Sequence, residues 1–260
     1  MTDRAEADVA TERERGVASA FVAIANRLAL GFDVVDLMTR LTTDCARLLD
    51  VASAGLLLAD GRGTLHILAA SSEATRELEL FQLQREQGPC LDCFHSGEPV
   101  LVGDLRAHAD RWPDFVGAAT EAGFASVHAL PMRLYSNMLG ALGLFGTSVG
   151  DLNPDDVELG QALADVASVA LVQDRRITDK NLLADQLQHA LNSRVVIEQA
   201  KGFVAQVGGL DMDQAFALLR QFSRNHNQRL TDVARAVVTR QLPVQLLVGD
   251  ASARKAERSR

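Results

Sequence analysis

The 260-residue chain is 47% hydrophobic and 23% charged, the balance of a globular protein with room for one large or two small cores. Its three cysteines exclude a disulfide-built scaffold and point to a reducing cytoplasm, and no apolar run is long enough for a signal peptide or a membrane span. The net charge of −8 is unevenly spread: residues 1–175 carry 13 Arg, no Lys and 26 Asp or Glu (net −13), residues 176–242 nine basic and six acidic groups (net +3), and residues 243–260 four and two (net +2). The first part should repel polyanions and the second attract or tolerate them, so two parts with different tasks are expected.

Residues 1–31 read as a helical segment, with Val9, Val17, Phe21, Ile24 and Leu28 at roughly helical intervals. Phe32 to Leu49 is a second predicted helix, its apolar stripe formed by Val35, Met38, Leu41, Cys45 and Leu48. The period then changes. ASAGLLLADGRGTLHILAAS is two apolar runs about Asp60-Gly61, a dipeptide that suits a hairpin because it accepts positive φ. A helix over Ala74–Gln87, a short strand within Gly97–Leu105, helical turns over Pro113–Ala122 and strands over Ser126–Pro131 and Asn137–Thr147 follow. NPDD (Asn153–Asp156) opens another helix, with Asn as N-cap, Pro at the first helical position and two aspartates at the positive end of the dipole. The proline-free stretch to about Val207 predicts one long helix, or a nearly continuous pair, linking the halves. Leu163, Ala170, Ile177, Ala184 and Leu191 recur every seven residues along it, the pattern of a parallel dimer seam.

This order of elements describes an α+β sandwich around an antiparallel sheet. With GPCLDCFHSGEPVLVGDL at its middle, the stretch 32–173 resembles the GAF domains of bacterial signalling proteins, whose equivalent segment likewise runs glycine-proline, helix, glycine turn, strand and Asp-Leu. The resemblance implies a sensor of a small-molecule ligand or a protein partner, with a pocket between sheet and helices and no fixed cofactor.

Cys90 and Cys93 form a C-x-x-C pair with three readings: a redox switch, half of a zinc site completed by His95 or His108, or two small thiols opening a helix. No second C-x-x-C is present, and Phe94 separates Cys93 from His95, which breaks the haem-attachment pattern; no metal is expected. Cys45 lies on the apolar face of its helix. G-x-S-x-G and G-K-[ST] are absent, the histidines are scattered, and residues 1–175 offer no lysine for a phospho-acceptor site, so the chain is not expected to be an enzyme.

Residues 174–242 hold three predicted helices. The first ends near Val207, before Gly208-Gly209, with Ile197, Ala200, Phe203, Val204 and Val207 on one face. The second starts at an Asp211 N-cap with Gln214 placed for a capping box, and turns Ala215, Phe216, Leu218, Leu219 and Phe222 inward. The third starts at Thr231 as N-cap and buries Val233, Ala234, Val237 and Val238. Arg194, Lys201, Arg220, Arg224, Asn225, His226, Asn227 and Arg229 are left for the outside. There SRNHNQR (Ser223–Arg229) offers guanidinium forks and amides suited to phosphates and exposed bases. Residues 243–260 are expected to form a flexible tail.

The strings SRVVIEQAKG, AFALLR and RLTDVA resemble the ANTAR domain, the RNA-binding module of bacterial transcription antiterminators. The match runs from about Leu182 to Thr239 and departs at Ser223-Arg224, where the family often has alanine followed by methionine. GAF before ANTAR is an actinobacterial arrangement, and the excess of Arg over Lys suits a GC-rich genome. The resemblance implies a cytoplasmic homodimer, paired through the long helix, that binds RNA hairpins in nascent leaders and keeps a terminator from forming. A small-molecule ligand or an upstream kinase would supply the signal. RNA binding would rest on Lys201, Arg220, Arg224, Asn227 and Arg229, with Arg194 a further candidate. Three other readings stand beside it. One is a DNA-binding helix-turn-helix, weakened by an eight-residue link (Arg224 to Thr231) and by Asp232 at the leading end of the third helix. The others are a dimeric module that binds only protein, and a redox enzyme built on Cys90 and Cys93.

Overall fold

The computed structural model of the protein describes residues 13–24, 33–172 and 180–247, the side chains of the last segment from residue 187 onward. Two units divide the chain: residues 1–32 with 37–187, and residues 33–36 with 188–260.

The first unit is built on five antiparallel strands in the spatial order β2-β1-β5-β4-β3. In chain order its elements are α1 (residues 13–24), α2 (Val34–Leu48, of which the residues up to Asp36 belong to the second unit), β1 (Ser53–Ala59), β2 (Leu65–Ala70), α3 (Glu73–Arg85), α4 (Pro89–Ser96), β3 (Val100–Val102), α5 (Pro113–Glu121), β4 (Ser126–Leu134), β5 (Asn137–Gly146) and α6 (Pro154–Val172). Every residue of β1 is buried, as a strand covered by helices on both faces requires. On one face Leu57, Ala129 and Ala141 pack with Cys90 and Cys93, while Val127 and Phe145 join Leu78, Trp112, Phe115 and Phe124. On the other, Leu130 and Leu144 meet α6 at Gly160, where an added Cβ would stand 2.8 Å from Leu130 Cδ1.

The expected hairpin forms, but positive φ falls on Gly63 and not on Asp60-Gly61. Asp60 instead holds the turn with its carboxylate, which accepts the backbone N–H of Arg62 at 2.8 Å and of Thr64 at 3.0 Å. Burial pushes the Asp60 pKa up, but these two bonds and the His66 ring outweigh it and hold the carboxyl below its ordinary value. Asn153 caps α6 as expected, accepting Asp155 N–H at 3.0 Å. α6 packs on β4, and its heptad positions Leu163 and Ala170 are buried, so neither is offered to a second subunit. Ile177 and the side chain of Ala184 lie outside the described residues.

The second unit is a bundle of α7 (Lys180–Gly208), α8 (Met212–Asn225) and α9 (Leu230–Val238), followed by a helical turn over 244–247. Gly209, at φ +61°, ends α7. The Asp211–Gln214 capping box that opens α8 is formed in both directions. Ile197, Ala200, Val204, Ala215, Leu219, Phe222, Leu230, Val233, Ala234 and Val237 are buried. Five expected core residues are not: Phe203, Val207 and Val238 are 41%, 47% and 39% exposed, and Phe216 and Leu218 are half-buried. A nine-residue α9 presents one narrow stripe to the bundle, already filled by Leu230, Val233, Ala234 and Val237. The flexible tail expected from Pro243 does not hold over residues 244–247, where Val244 and Leu247 are buried in the helical turn; residues 248–260 lie outside the described residues.

Candidate nucleic-acid interface

The cationic side chains of the second unit fall into two groups. In the first, Arg194 Cζ, Lys201 Nζ and Arg220 Cζ stand 6.0, 5.9 and 5.8 Å from the centroid of the Phe216 ring. Phe216, expected in the core, is half-buried and serves as the face on which three cations converge. Glu198 pairs with Arg194 one turn away and with Lys201 at 2.9 Å, and Asp36 accepts Arg220 Nε at 3.0 Å. Arg194 and Lys201, expected on the outside, are only 7% and 3% exposed, because their stems lie along the bundle and their charged ends turn to Glu198.

The second group is exposed. Arg224 ends α8, and Asn227 and Arg229 lie in the link to α9. That link is held by its own bonds: Ser223 Oγ donates to Gln228 O at 2.7 Å, and Gln228 N–H to Ser223 O at 2.9 Å. The His226 ring stacks on Phe222 with centroids 3.9 Å apart. Asn227 takes a left-handed φ of 51°, a conformation asparagine tolerates better than most residues. The guanidinium and amide groups are thus carried on a shaped loop.

Thr231 is not the N-cap of α9. The helix starts at Leu230 with Arg229 as its uncapped N-cap residue, and the Thr231 N–H is satisfied by Asp33 Oδ2 at 2.8 Å. Asp33 Oδ1 meanwhile accepts the N–H of Val35 at 3.0 Å. Neither Asp33 nor Asp36 was legible as a partner of the bundle, because they lie 198 and 184 residues from their contacts.

Cys90 and Cys93 are free thiols, both buried in α4. Burial pushes both up, Cys93 to about 12, and for Cys90 the neighbouring Glu79 carboxyl adds to the effect. Held protonated and away from solvent, they are poor nucleophiles. The buried carboxyl that the sequence did not announce is Glu79. It is fully buried over the sheet at Gly55 and Gly143, which are register partners; a Cβ on either would come within 2.6 and 2.8 Å of Glu79 Oε1. Gln82 Nε2 donates to Glu79 Oε2, and Cys90 Sγ lies 3.7 Å from Oε1. Burial raises Glu79 to about 8, opposed by the bonds from Cys90 and Gln82, so the carboxyl is mostly protonated at neutral pH. Among the described residues no group of three or more His, Cys, Asp or Glu is placed to hold a metal ion, and no helix is long and apolar enough to cross a membrane.

The GAF domain model matches residues 33–172, and the ANTAR domain model matches residues 185–238. The chain belongs to the GAF family and carries a C-terminal ANTAR domain. Solved structures similar to its GAF domain include the GAF domain of a phosphoenolpyruvate-protein phosphotransferase from Coxiella burnetii (12% identity, 61% of this chain and 94% of that one, TM-score 0.48). Free methionine-R-sulfoxide reductase from Neisseria meningitidis (17%, 63% and 90%, 0.49) and the phycoerythrobilin-bound GAF domain of a cyanobacterial phytochrome (17%, 60% and 95%, 0.48) are also similar. A search of curated proteins finds no match. GAF domains are sensory and ANTAR domains bind RNA, and the two cation groups described above all lie within the ANTAR match.

Proposed function

We propose that this protein is a cytoplasmic, signal-responsive transcription antiterminator of the actinobacterial type. Its GAF domain receives a ligand or partner, and its ANTAR domain, paired with that of a second copy through α7, holds hairpins of a nascent leader RNA so that the terminator does not form. It acts by binding and not by catalysis. The observation that carries this reading is the exposed set Arg224, Asn227 and Arg229, at the end of α8 and in the self-bonded link after it, in a domain that follows an acidic body. Loop bases of RNA are unstacked and open to guanidinium planes and amides, whereas no aromatic side chain of this edge is free to stack, since His226 lies on Phe222. Few charges per module imply modest affinity and a reason for pairing two modules on one RNA. The exposed Val195, Phe203 and Val207 on α7 are consistent with such a pairing.

The link between α8 and α9 spans residues 226–229, shorter than expected and within the range of a helix-turn-helix. Duplex DNA is therefore the proper comparator. Asp232, exposed in the first turn of α9, disfavours it by facing phosphates with a carboxylate. Cross-linking in cells followed by sequencing tests the reading. Enrichment of leader transcripts with paired hairpins is expected; recovery of DNA or of no nucleic acid would refute it.

A further inference from the structure

A cavity of about 500 Å³ opens at one end of the GAF sheet, between the turn after α2, the starts of β4 and α6, and the loop that follows β5. It lies on the α6 side of the sheet, since His128 pairs with Leu144 and so shares the face of Leu144 and Leu130, opposite Gly143 and the Glu79 cluster. Its volume is that of a small-molecule site.

The lining is acidic. Asp50, Asp151 and Asp156 all face the cavity, and among the described residues no Lys or Arg lines it. Asp156 is 5% exposed and pairs with the Arg13 guanidinium, which also donates Nε–H to Leu48 O at 3.0 Å. At the floor lies His128, 2% exposed, whose Nδ1 has no hydrogen-bond partner among the described residues. Burial lowers the His128 pKa, against a smaller upward pull from Asp151, so the ring is neutral and adds no positive charge. Ser126, which also lines the cavity, is already committed, its Oγ donating to Ser148 O at 2.9 Å. A buried imidazole nitrogen left without a partner costs free energy, and a ligand that bonds to it recovers that cost. The carboxylates repel phosphate and carboxylate ligands, and they are not placed to form a metal site.

We propose that this cavity binds a small organic cation, its amine or guanidine among Asp50, Asp151 and Asp156 and a neutral polar group on His128 Nδ1. Arg13 already places a guanidinium on Asp156, so the chain itself shows the chemistry that the site accepts. A ligand reaching Asp156 would compete with Arg13 and loosen the hold of α1 on the end of α2. The inference concerns the GAF domain alone and stands whether or not the ANTAR domain binds RNA.

The test uses the full chain without RNA. Agmatine and putrescine are titrated calorimetrically, with inorganic phosphate, succinate and magnesium chloride as counter-probes. Saturable binding of agmatine or putrescine is expected, with the Kd rising about tenfold or more in Asp151→Asn, a variant at an exposed position that leaves the core intact. His128→Asn should weaken binding as well. The proposal is overturned if neither cation binds, if phosphate or succinate binds in their place, if magnesium binds as they do, or if Asp151→Asn leaves their affinity unchanged.

Discussion

Replacing Glu79 by glutamine should leave the GAF domain almost unchanged in acid and stabilise it increasingly as the pH rises. The carboxyl sits in the notch of Gly55 and Gly143 and is raised from its ordinary 4.5 to about 8. Between those values the folded protein keeps a proton that the unfolded chain has released. The native state therefore binds more protons, and its stability falls with rising pH until the carboxyl ionises near 8, beyond which the penalty is constant. At about 1.4 kcal/mol per pH unit, the full penalty is roughly 5 kcal/mol, and about half that if water reaches the carboxylate. Glutamine keeps the shape and the oxygen that accepts from Gln82 but cannot ionise. Urea unfolding at pH 5.5, 7 and 8.5 measures the difference. The single tryptophan, Trp112, is buried in the GAF core, so its fluorescence reports this domain alone. The variant should gain about 1.5–3 kcal/mol over the natural chain between the first and last pH, since part of the penalty is already present at pH 5.5. A difference that does not change with pH would show that Glu79 is already ionised and refute the reasoning.

All three cysteines, Cys45, Cys90 and Cys93, are buried, so Ellman's reagent should label none of them in the folded protein and all of them in urea; rapid labelling of Cys90 or Cys93 would restore the redox reading. Lys201→Ala should lower the melting temperature of the ANTAR domain by leaving Glu198 with one partner fewer. Arg229→Ala should leave melting unchanged and weaken RNA binding by about 1–2 kcal/mol. Calorimetry and filter binding on the two variants separate these outcomes, and the converse pattern would mean that Lys201 and not the exposed edge touches RNA. Asp36→Asn removes a carboxylate from Arg220, so RNA should bind about two- to fivefold tighter, the scale of a partly exposed ion pair; weaker binding would make Asp36 a support for the interface.

Much of the architecture was open to reading because each element advertised its own period. The run SAGLLLA between turn residues, the Asn153-Pro154 helix start and the Asp211–Gln214 box all form where local chemistry placed them. What escaped was set by contacts remote in sequence. Thr231 resembles an N-cap, yet its N–H is taken by Asp33, and the start of α9 shifts accordingly. Arg194 and Lys201 look like solvated charges by spacing, yet Glu198 and the Phe216 ring draw both inward. Glu79 is one of two glutamates alternating with leucines in RELELFQLQR, and only the glycine pair of two strands distant in sequence reveals why it is buried. The exposure of Arg224, Asn227 and Arg229 was legible because they fall at the end of α8 and in the polar link that follows it.

The most direct test of the central claim is titration of the purified full-length protein against a labelled leader RNA carrying two hairpins, beside a duplex DNA of the same length, at two salt concentrations. The account predicts binding to the RNA that weakens steeply with salt and disappears when either hairpin loop is replaced, with only weak, sequence-independent association with the duplex. Equal affinity for RNA and DNA, or binding indifferent to the loops, would contradict it.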